Sequence, residues 1–391
     1  MKILLWLSLF IAFYTFAGYG IFLLLLVKIK RLIKVAKSAD DTDTGLLPAC
    51  TLVVAVYNEA HIIREKIINS LSLTYPPGKL KLVFITDGST DNTPEIIGEY
   101  PQITLLHQDG RMGKIAAVHR AMEHIRTEVV VFTDGNTMLN RDALKKICRH
   151  YTDKTVGAVA GEKRVTMQVT DDASAAGEGF YWKYESALKK WDSELYSVVG
   201  AAGELFSIRR ELYEAVTPDT ILDDFMISML IAAKGYRIVY EPEAYATESA
   251  SENVSEELKR KIRIAAGGMQ SVIRLKHLLN PFRYPLLSFQ YISHRVLRWT
   301  ITPFLLIVAF ILNIVIVAAG GTFVYHLLLL AQVLFYLLAL LGLLMENRQV
   351  RIKILFIPYY FCVMNYAVIA GIARYFTGKQ SAVWEKSQRR G

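Results

Sequence analysis

Cysteine is scarce in this chain: three in 391 residues, Cys50, Cys148 and Cys362, far apart and without paired spacing. That excludes a disulfide framework and a cysteine-based zinc site, and it fits a reducing compartment. The order G-x-x-x-x-G-K-[ST] is missing, and so is G-x-G-x-x-G, so neither a P-loop ATPase nor a Rossmann dehydrogenase is supported. No internal repeat and no low-complexity tract interrupts the chain. The net charge of +9 does not point to nucleic acid, because much of the basic surplus flanks apolar segments, as in Lys28, Lys30, Arg31, Lys34 and Lys37. With 53% hydrophobic residues and a mean hydropathy of +0.28, the chain is too apolar for an ordinary soluble enzyme and too charged for a pure bundle of spans. A mixed architecture follows.

Residues 3–27 form an apolar run with Trp6, Tyr14 and Tyr19, long enough to cross a hydrocarbon core that needs about 20 helical residues. The run is longer than a signal-peptide core and ends in lysines rather than at a small-residue cleavage site. The basic cluster behind it places the amino terminus outside and the following domain in the cytoplasm, by the positive-inside rule. Residues 1–37 thus read as a transmembrane anchor with its basic flank, 38–47 as a linker carrying Asp40, Asp41, Asp43 and Gly45, and 48–280 as a cytoplasmic domain. Residues 281–298 mix aromatics with Arg283, His294, Arg295 and Arg298 as an interfacial helix does. Residues 299–345 read as a transmembrane hairpin turning at Gly320-Gly321. For 346–391 the expectation is an interfacial or re-entrant helix over 354–376, since a full crossing would put Lys379, Lys386, Arg389 and Arg390 outside. The whole is a multi-pass protein of the cytoplasmic (inner) membrane.

Between 48 and 280, apolar runs alternate with helical patterns. Strands are expected at 51–56, 80–86, 103–106 and 129–133, with helices at 59–72, 94–100 and 113–126 between them. Such alternation implies right-handed βαβ units, hence an α/β fold with a mostly parallel sheet. Further strands are expected at 157–160 and 164–169, then a long helix at 171–195 whose Phe180, Trp182, Tyr184 and Trp191 read as packing residues.

Ligands of open α/β sheets collect beyond the carboxyl ends of the strands, and the polar residues here cluster at those ends. The stretch Glu128-Val-Val-Val-Phe-Thr-Asp-Gly-Asn-Thr137 delivers Asp134 and Asn136, which can share a divalent cation carrying phosphates; a plain Asp-Gly turn would look the same. Val54-Ala-Val-Tyr-Asn-Glu59 places Tyr57, Asn58 and Glu59 where a base can be read by stacking and hydrogen bonds. In Ile85-Thr-Asp-Gly-Ser-Thr-Asp91, Asp87 can accept from a base or ribose while Ser89 or Thr90 caps the next helix. His107-Gln-Asp-Gly-Arg-Met-Gly-Lys114 runs into a helix amino terminus, aiming backbone N–H groups, Arg111 and Lys114 at an anion. A nucleoside diphosphate with a cation suits this set.

Val199-Gly-Ala-Ala-Gly-Glu-Leu-Phe206 is a small-residue loop, with Gly203, Glu204 and Leu205, whose backbone a ligand can approach. Ile221-Leu-Asp-Asp-Phe225 supplies paired carboxylates, suited to a general base of raised pKa or, equally, to capping a helix over 225–234. The basic run 259–268 contains Arg260 and Arg263 and can also lie on anionic lipid.

Taken in order and spacing, V-x-x-Y-N-E, D-G-S-T-D, R-x-G-K and D-x-N resemble the membrane-bound family-2 glycosyltransferases, the poly-N-acetylglucosamine, hyaluronan and cellulose synthases among them. The resemblance runs from about residue 53 to about residue 268. It implies a GT-A-like nucleotide-sugar-binding domain, a divalent cation (Mg2+ or Mn2+), and inverting transfer from a UDP-hexose or UDP-N-acetylhexosamine to a growing polysaccharide. By that resemblance Tyr57, Glu59 and Asp87 surround base and ribose, Lys114 lies near the nucleotide, Asp134 ligates the metal, and Asp224 is the base assisted by Asp223. Arg263 matches the arginine of Q-x-x-R-W and would hold the diphosphate, whereas Arg260 and Ile264 replace its glutamine and tryptophan, and Asn136 replaces a commoner aspartate. Trp384-Glu-Lys resembles the family's gating segment. The partners implied are the donor, a saccharide or lipid-linked acceptor, the membrane and synthase or export proteins, but no nucleic acid. Single-sugar transfer to a lipid-linked acceptor and a catalytically silent synthase subunit are the alternatives; the latter sits poorly with intact Asp87, Asp134 and Asp224. The apolar segments lack the repeated, broken spans of a transporter.

Overall fold

The structure is a computed structural model that describes residues 1–33, 47–166, 172–249, 254–347 and 353–380. The linker at 38–46, the side chains of Phe180 and Trp182, and the segment with Trp384 fall outside the described residues.

Strands β1 (Cys50–Val56), β2 (Leu80–Thr86), β3 (Ile103–Leu106) and β4 (Val129–Asp134) arise where the sequence concentrates β-branched residues between turn signals. All their pairings are parallel, with β1 between β2 and β4. Side chains alternate between two cores: Val53, Ile85, Val130 and Phe132 face one, while Leu52, Val54, Phe84 and Val131 face the other. The chain proceeds from β1 to β2 and β3 on one side, then crosses to β4 on the other, so strand order reverses beside β1. A crevice opens at such a switch point. The register sets Val56 beside Thr86 and Ala55 beside Asp134, which brings Tyr57, Asp87 and Asp134 to one edge.

The sheet continues through β5 (Met138–Leu139), β6 (Val156–Thr166), β7 (Leu205–Arg209) and β8 (Arg237–Ser249), in the order β3-β2-β1-β4-β7-β6-β8-β5. The antiparallel β7 joins the parallel half to the rest. The two strands expected at 157–160 and 164–169 are one strand, β6, within the described residues. A register shift between Gly161 and Glu162 absorbs the polar interruption that split them in sequence. A Cβ on Gly161 would stand 2.7 Å from the Leu205 side chain and 2.9 Å from the Ala244 carbonyl.

Among the described residues, three helices are long and apolar enough to cross a membrane: Lys2–Ile33, Phe323–Glu346 and Ile354–Phe376. Pro285–Trp299 and Thr302–Ala318 bend by 59° and make a fourth candidate as a pair. For 354–376 an interfacial or re-entrant helix was expected; Lys353–Phe376 is one unbroken helix through Pro358, and its length and composition admit a full span. It packs closely on Val254–Arg274, where a Cβ on Gly371 would be 2.6 Å from the Ala265 Cβ.

The sheet domain is joined to this helical part by the helix Asp172–Leu195. Tyr184 and Trp191 pack around Tyr19, Leu23 and Leu188, so these aromatics are packing residues as expected. Below them Glu185 takes His294 Nε2 at 3.2 Å, Arg295 at 2.8 Å and Arg298 at 3.0 Å, while His294 Nδ1 lies 2.6 Å from Asp192. Tyr19 and Gln290 also donate to Asp192. Lys30 donates to the carbonyls of Glu194 and Leu195 at 2.5 and 2.7 Å, a cation on a helix carboxyl terminus.

Candidate active site

Two turns leave β1 and β2 and are sewn together. Asn58, at a φ of 52°, accepts from the Thr90 amide at 2.7 Å, and its own amide donates to Ser89 Oγ at 3.2 Å. The Glu59 amide donates to Thr93 Oγ1 at 3.0 Å. Asp87, 6% exposed, accepts from the amides of Met112 at 3.1 Å and Gly113 at 2.6 Å. This carboxylate braces the glycine loop. Gly88 has a φ of 67°, and a Cβ there would be 2.7 Å from the Arg111 amide nitrogen, so the loop needs glycine to settle on the turn. The Arg111 guanidinium lies 3.9 Å over the Tyr57 ring. Tyr57, Glu59, Asp87 and Arg111 therefore form one wall of the crevice, with a cation–aromatic stack suited to a planar base.

From Gly113 the loop enters the helix Lys114–His124, and the Lys114 ammonium donates to Asp134 Oδ1 at 2.7 Å. Burial opposes the lysine's charge, but Asp134, Asp223 and Asp224 outweigh it and raise its pKa. The helix Asp223–Ala233 starts at the paired carboxylates, which lie in its first turn; its N-cap is Leu222 and no side chain caps it, so the pair sits at the helix start without capping it by a hydrogen bond. Burial pushes the Asp224 carboxyl up to about 7, with Asp223 adding to the shift and Lys114 opposing it. Gly203 lies against both groups: a Cβ there would be 3.3 Å from Asp224 Oδ2 and 3.4 Å from Lys114 Nζ. Glu204 is held by Lys163 at 2.5 Å, and Lys163 also pairs with Glu248. Leu205 is 1% exposed and packs in the core, so of the three loop residues Gly203 and Glu204 face the cavity.

Arg263 completes this wall. Burial lowers its pKa while Asp223, Asp224 and Asp134 oppose the shift, and its buried Nε has no hydrogen-bond partner. A buried guanidinium nitrogen without an acceptor is what an anion site leaves when the anion is away. Asn136 Oδ1 is likewise buried without a donor.

That orphaned oxygen tests the expected cation. Asp134 and Asn136 supply oxygens from two positions with Gly135 between them, and no group of three His, Cys, Asp or Glu among the described residues forms a cage. A magnesium- or manganese-type ion that borrows its remaining ligands from phosphate and water fits such a pair. Asp134 and Asn136 would hold it.

Sequence reasoning missed Lys66. It is 0% exposed and donates to the Thr137 carbonyl at 2.6 Å and to Thr133 Oγ1 at 3.3 Å, behind the Asp134 turn. Burial lowers its pKa to about 7, with Asp134 opposing. The signal was present: Ile63, Lys66, Ile67 and Ser70 lie at the spacing of one helix face. Arg295 and Arg298 were read only as interfacial residues, yet they border the same cavity as Asp224.

A crevice at a topological switch point, bordered by the Tyr57–Arg111 stack, an Asp–Lys pair and an arginine whose buried Nε lacks a partner, belongs to a GT-A-like fold set on long apolar helices. Residues 51–217 match the Glycosyl transferase family 2 model. Curated relatives include the poly-beta-1,6-N-acetyl-D-glucosamine synthases of Staphylococcus aureus (strain COL), 28% identical over 247 residues, and of Staphylococcus epidermidis, 24% identical over 281. These alignments cover 60% and 69% of this chain and 58% and 66% of the relatives, so the chain spans under two thirds of their length. A solved structure, the mannosyltransferase PcManGT from Pyrobaculum calidifontis in complex with GDP-Man and Mn2+, is 26% identical with a TM-score of 0.69. It covers 96% of this chain and 100% of that one.

Proposed function

We propose that the protein is an inverting glycosyltransferase that moves a sugar from a nucleoside-diphosphate donor to a saccharide hydroxyl at the membrane surface, in the assembly of a polysaccharide or lipid-linked glycan. The observation that carries this is the meeting of Asp224, Lys114, Asp134 and Gly203 in one cavity bordered by Arg263. The acceptor hydroxyl approaches over Gly203, where no side chain stands between it and Asp224. Its oxygen bonds to the anomeric carbon from the face opposite the diphosphate, the anomeric carbon–oxygen bond to the diphosphate breaks, and Asp224 takes the hydroxyl proton. Lys114 and Arg263 stabilise the charge that gathers on the leaving diphosphate. A divalent cation on Asp134 and Asn136 supplies further neutralisation when bound. Tyr57 and Arg111 stack on the base, and Asp87 keeps the loop beneath it fixed.

A UDP-sugar donor is what the resemblance of the strand-end motifs implies, whereas PcManGT was solved with GDP-Man. Both are carried into the test. Catalysis on the cytoplasmic face rests on Lys28, Lys30 and Arg31 at the end of the first apolar helix. Nucleotide release by the detergent-purified full chain is measured with Mg2+ or Mn2+ across UDP- and GDP-sugars, alongside Asp224→Asn. Release from one donor that disappears in the variant is expected. Donor-specific binding without any release would replace this reading with that of a silent subunit.

A further inference from the structure

We infer that Lys114 is a tethered stand-in for the divalent cation: in the donor-free protein its ammonium neutralises Asp134, and it yields that carboxylate only to a cation and a nucleoside diphosphate that bind together. This rests on the sugar-transfer reading above, which supplies the nucleoside diphosphate, and describes how that same site is filled.

Two cations compete for one carboxylate. Asp134 is one of the two residues placed to hold a magnesium- or manganese-type ion, yet its Oδ1 already takes the Lys114 ammonium at 2.7 Å. The Asp134 side chain is 14% exposed and that of Lys114 23%, so the pair is largely shielded from water and the two charges act on each other strongly. The second candidate ligand, Asn136 Oδ1, is neutral and without a donor. A dication entering the turn alone would meet the ammonium across a single carboxylate and gain only an uncharged oxygen besides.

The surrounding charges lead to the same result. Asp134, Asp223 and Asp224 act on Lys114 and on Arg263, and Asp134 acts on Lys66 behind the turn. Three carboxylates thus stand against three basic side chains. At the edge of the set, Glu204 is paired with Lys163 and Arg260 with Glu257. The set is close to balanced, so a dication alone tips it towards positive charge and a diphosphate alone towards negative. Bound together they restore the balance.

Lys114 is built to change partners. It is the first residue of the helix Lys114–His124, entered from Gly113 at a φ of 95°. Its flexible stem ends in three donors, and Asp134 engages one of them. A Cβ on Gly203 would lie 3.4 Å from Lys114 Nζ and 3.3 Å from Asp224 Oδ2, so at this position bare backbone leaves the ammonium room to shift. Lys114, Arg263 and the three carboxylates line one cavity, where a diphosphate reaches both basic groups. Leaving Asp134 for a phosphate oxygen puts the ammonium where the departing diphosphate gathers charge. The exchange therefore clears the metal turn and arms the leaving-group side in one movement. A fixed structural ion pair would do neither.

The test follows Mn2+ binding to the detergent-purified full chain by the electron paramagnetic resonance of free Mn2+, without nucleotide, with UDP and with GDP. Mn2+ is expected to bind at least about tenfold more tightly beside whichever diphosphate the protein accepts, and to tighten that nucleotide by the same factor. Lys114→Met is expected to raise Mn2+ affinity in the absence of nucleotide by about tenfold and to shrink the coupling, whereas Lys114→Arg, which keeps the charge, stays near wild type. Thermal unfolding reports that each variant is folded, and Lys114→Gln repeats the measurement should Lys114→Met fail to fold. Equal Mn2+ affinity with and without nucleotide in the wild type overturns the inference, as does unchanged or weaker nucleotide-free Mn2+ binding in a folded neutral variant. Coupled binding of the expected kind without transfer from any donor sugar would remove the sugar-transfer reading and leave the exchange at Lys114 standing. Failure to bind either nucleotide would remove both.

Discussion

The Lys66 ammonium, without solvent exposure, donates to the Thr137 carbonyl at 2.6 Å, directly behind the turn that carries Asp134 and Asn136. Lys66 also reaches Thr133 Oγ1, and the Thr133 hydroxyl donates to the Glu204 carbonyl at 2.9 Å. One buried amine thereby ties the turn of Asp134 and Asn136 to the loop of Gly203 and Glu204.

Replacing it by Lys66→Met removes a donor and leaves the Thr137 carbonyl buried, at a cost of about 1–3 kcal/mol. It also relieves the burial of a charge, so net stability should change little. Function should change more, because the turn loses its brace. The concentration of Mn2+ needed for half-maximal nucleotide binding is expected to rise severalfold, and Lys66→Arg should restore part of it. A variant with wild-type metal dependence would mean that the turn holds its shape alone.

The parallel half of the sheet was legible because each strand is a β-branched run stopped by a small polar turn, and the turns carry the chemistry. Asp134 could be named for that reason, Lys114 from a glycine loop that runs into a helix, and Asp224 as a base only through the family resemblance. What the sequence hid falls into two kinds. The break in β6 was invisible because the register shift at Gly161 lets one strand read as two. The membrane joint was invisible because Glu185 and Arg298 are 113 residues apart and no local pattern links them. Lys66 lies between: its helix face marks it as inward, but a lysine there contradicts the usual reading of the residue.

Asp224→Asn should separate catalysis from stability. Burial and Asp223 raise the folded-state pKa to about 7 from an unfolded value near 3.8. A raised carboxyl pKa means the folded state binds the extra proton, so its stability falls as pH climbs from about 4 to 7 and the penalty is complete above that. The shift of about three units bounds the penalty at about 4 kcal/mol. The variant should therefore melt higher than wild type at pH 8 and equally at pH 4, while transfer drops by about a thousandfold or more. Wild-type transfer should rise with pH until Asp224 is ionised, at or below about pH 7, since the bound cation favours the carboxylate. A higher melting point absent at pH 8 would remove the strain from this carboxyl.

Asn136 offers a matched pair of tests on the cation. Its buried Oδ1 has no donor, so Asn136→Ala deletes a ligand and should weaken metal-dependent nucleotide binding by about tenfold. Asn136→Asp places a second charge two residues from Asp134 and should tighten it. Chelation by EDTA should abolish transfer in all three proteins. Isothermal titration of Mn2+ with nucleotide reads the order directly, and an unchanged affinity in Asn136→Ala would leave Asp134 as the single protein ligand.

Gly200 has a φ of 80°, and a Cβ there would stand 2.1 Å from the Phe225 ring. Gly200→Ala thus incurs about 1–2 kcal/mol for the left-handed backbone before any steric term. Phe225 cannot retreat freely, because the Trp299 ring lies 5.2 Å beyond it and Gly268 closes on the far side of that ring. The strain must therefore move either the acceptor loop or the start of the helix that carries Asp224. Both outcomes misplace the hydroxyl relative to its base, and a misplacement of about 1 Å is enough to cost about a hundredfold in rate. Transfer should fall accordingly, with a loss of roughly 5 °C in the melting temperature. Gly203→Ala is the comparison: it has ordinary backbone, and the nearest atoms to its Cβ would be Asp224 Oδ2 at 3.3 Å and Lys114 Nζ at 3.4 Å. That variant should keep the wild-type melting temperature yet raise the acceptor KM, because the methyl group occupies the surface over which the saccharide must pass.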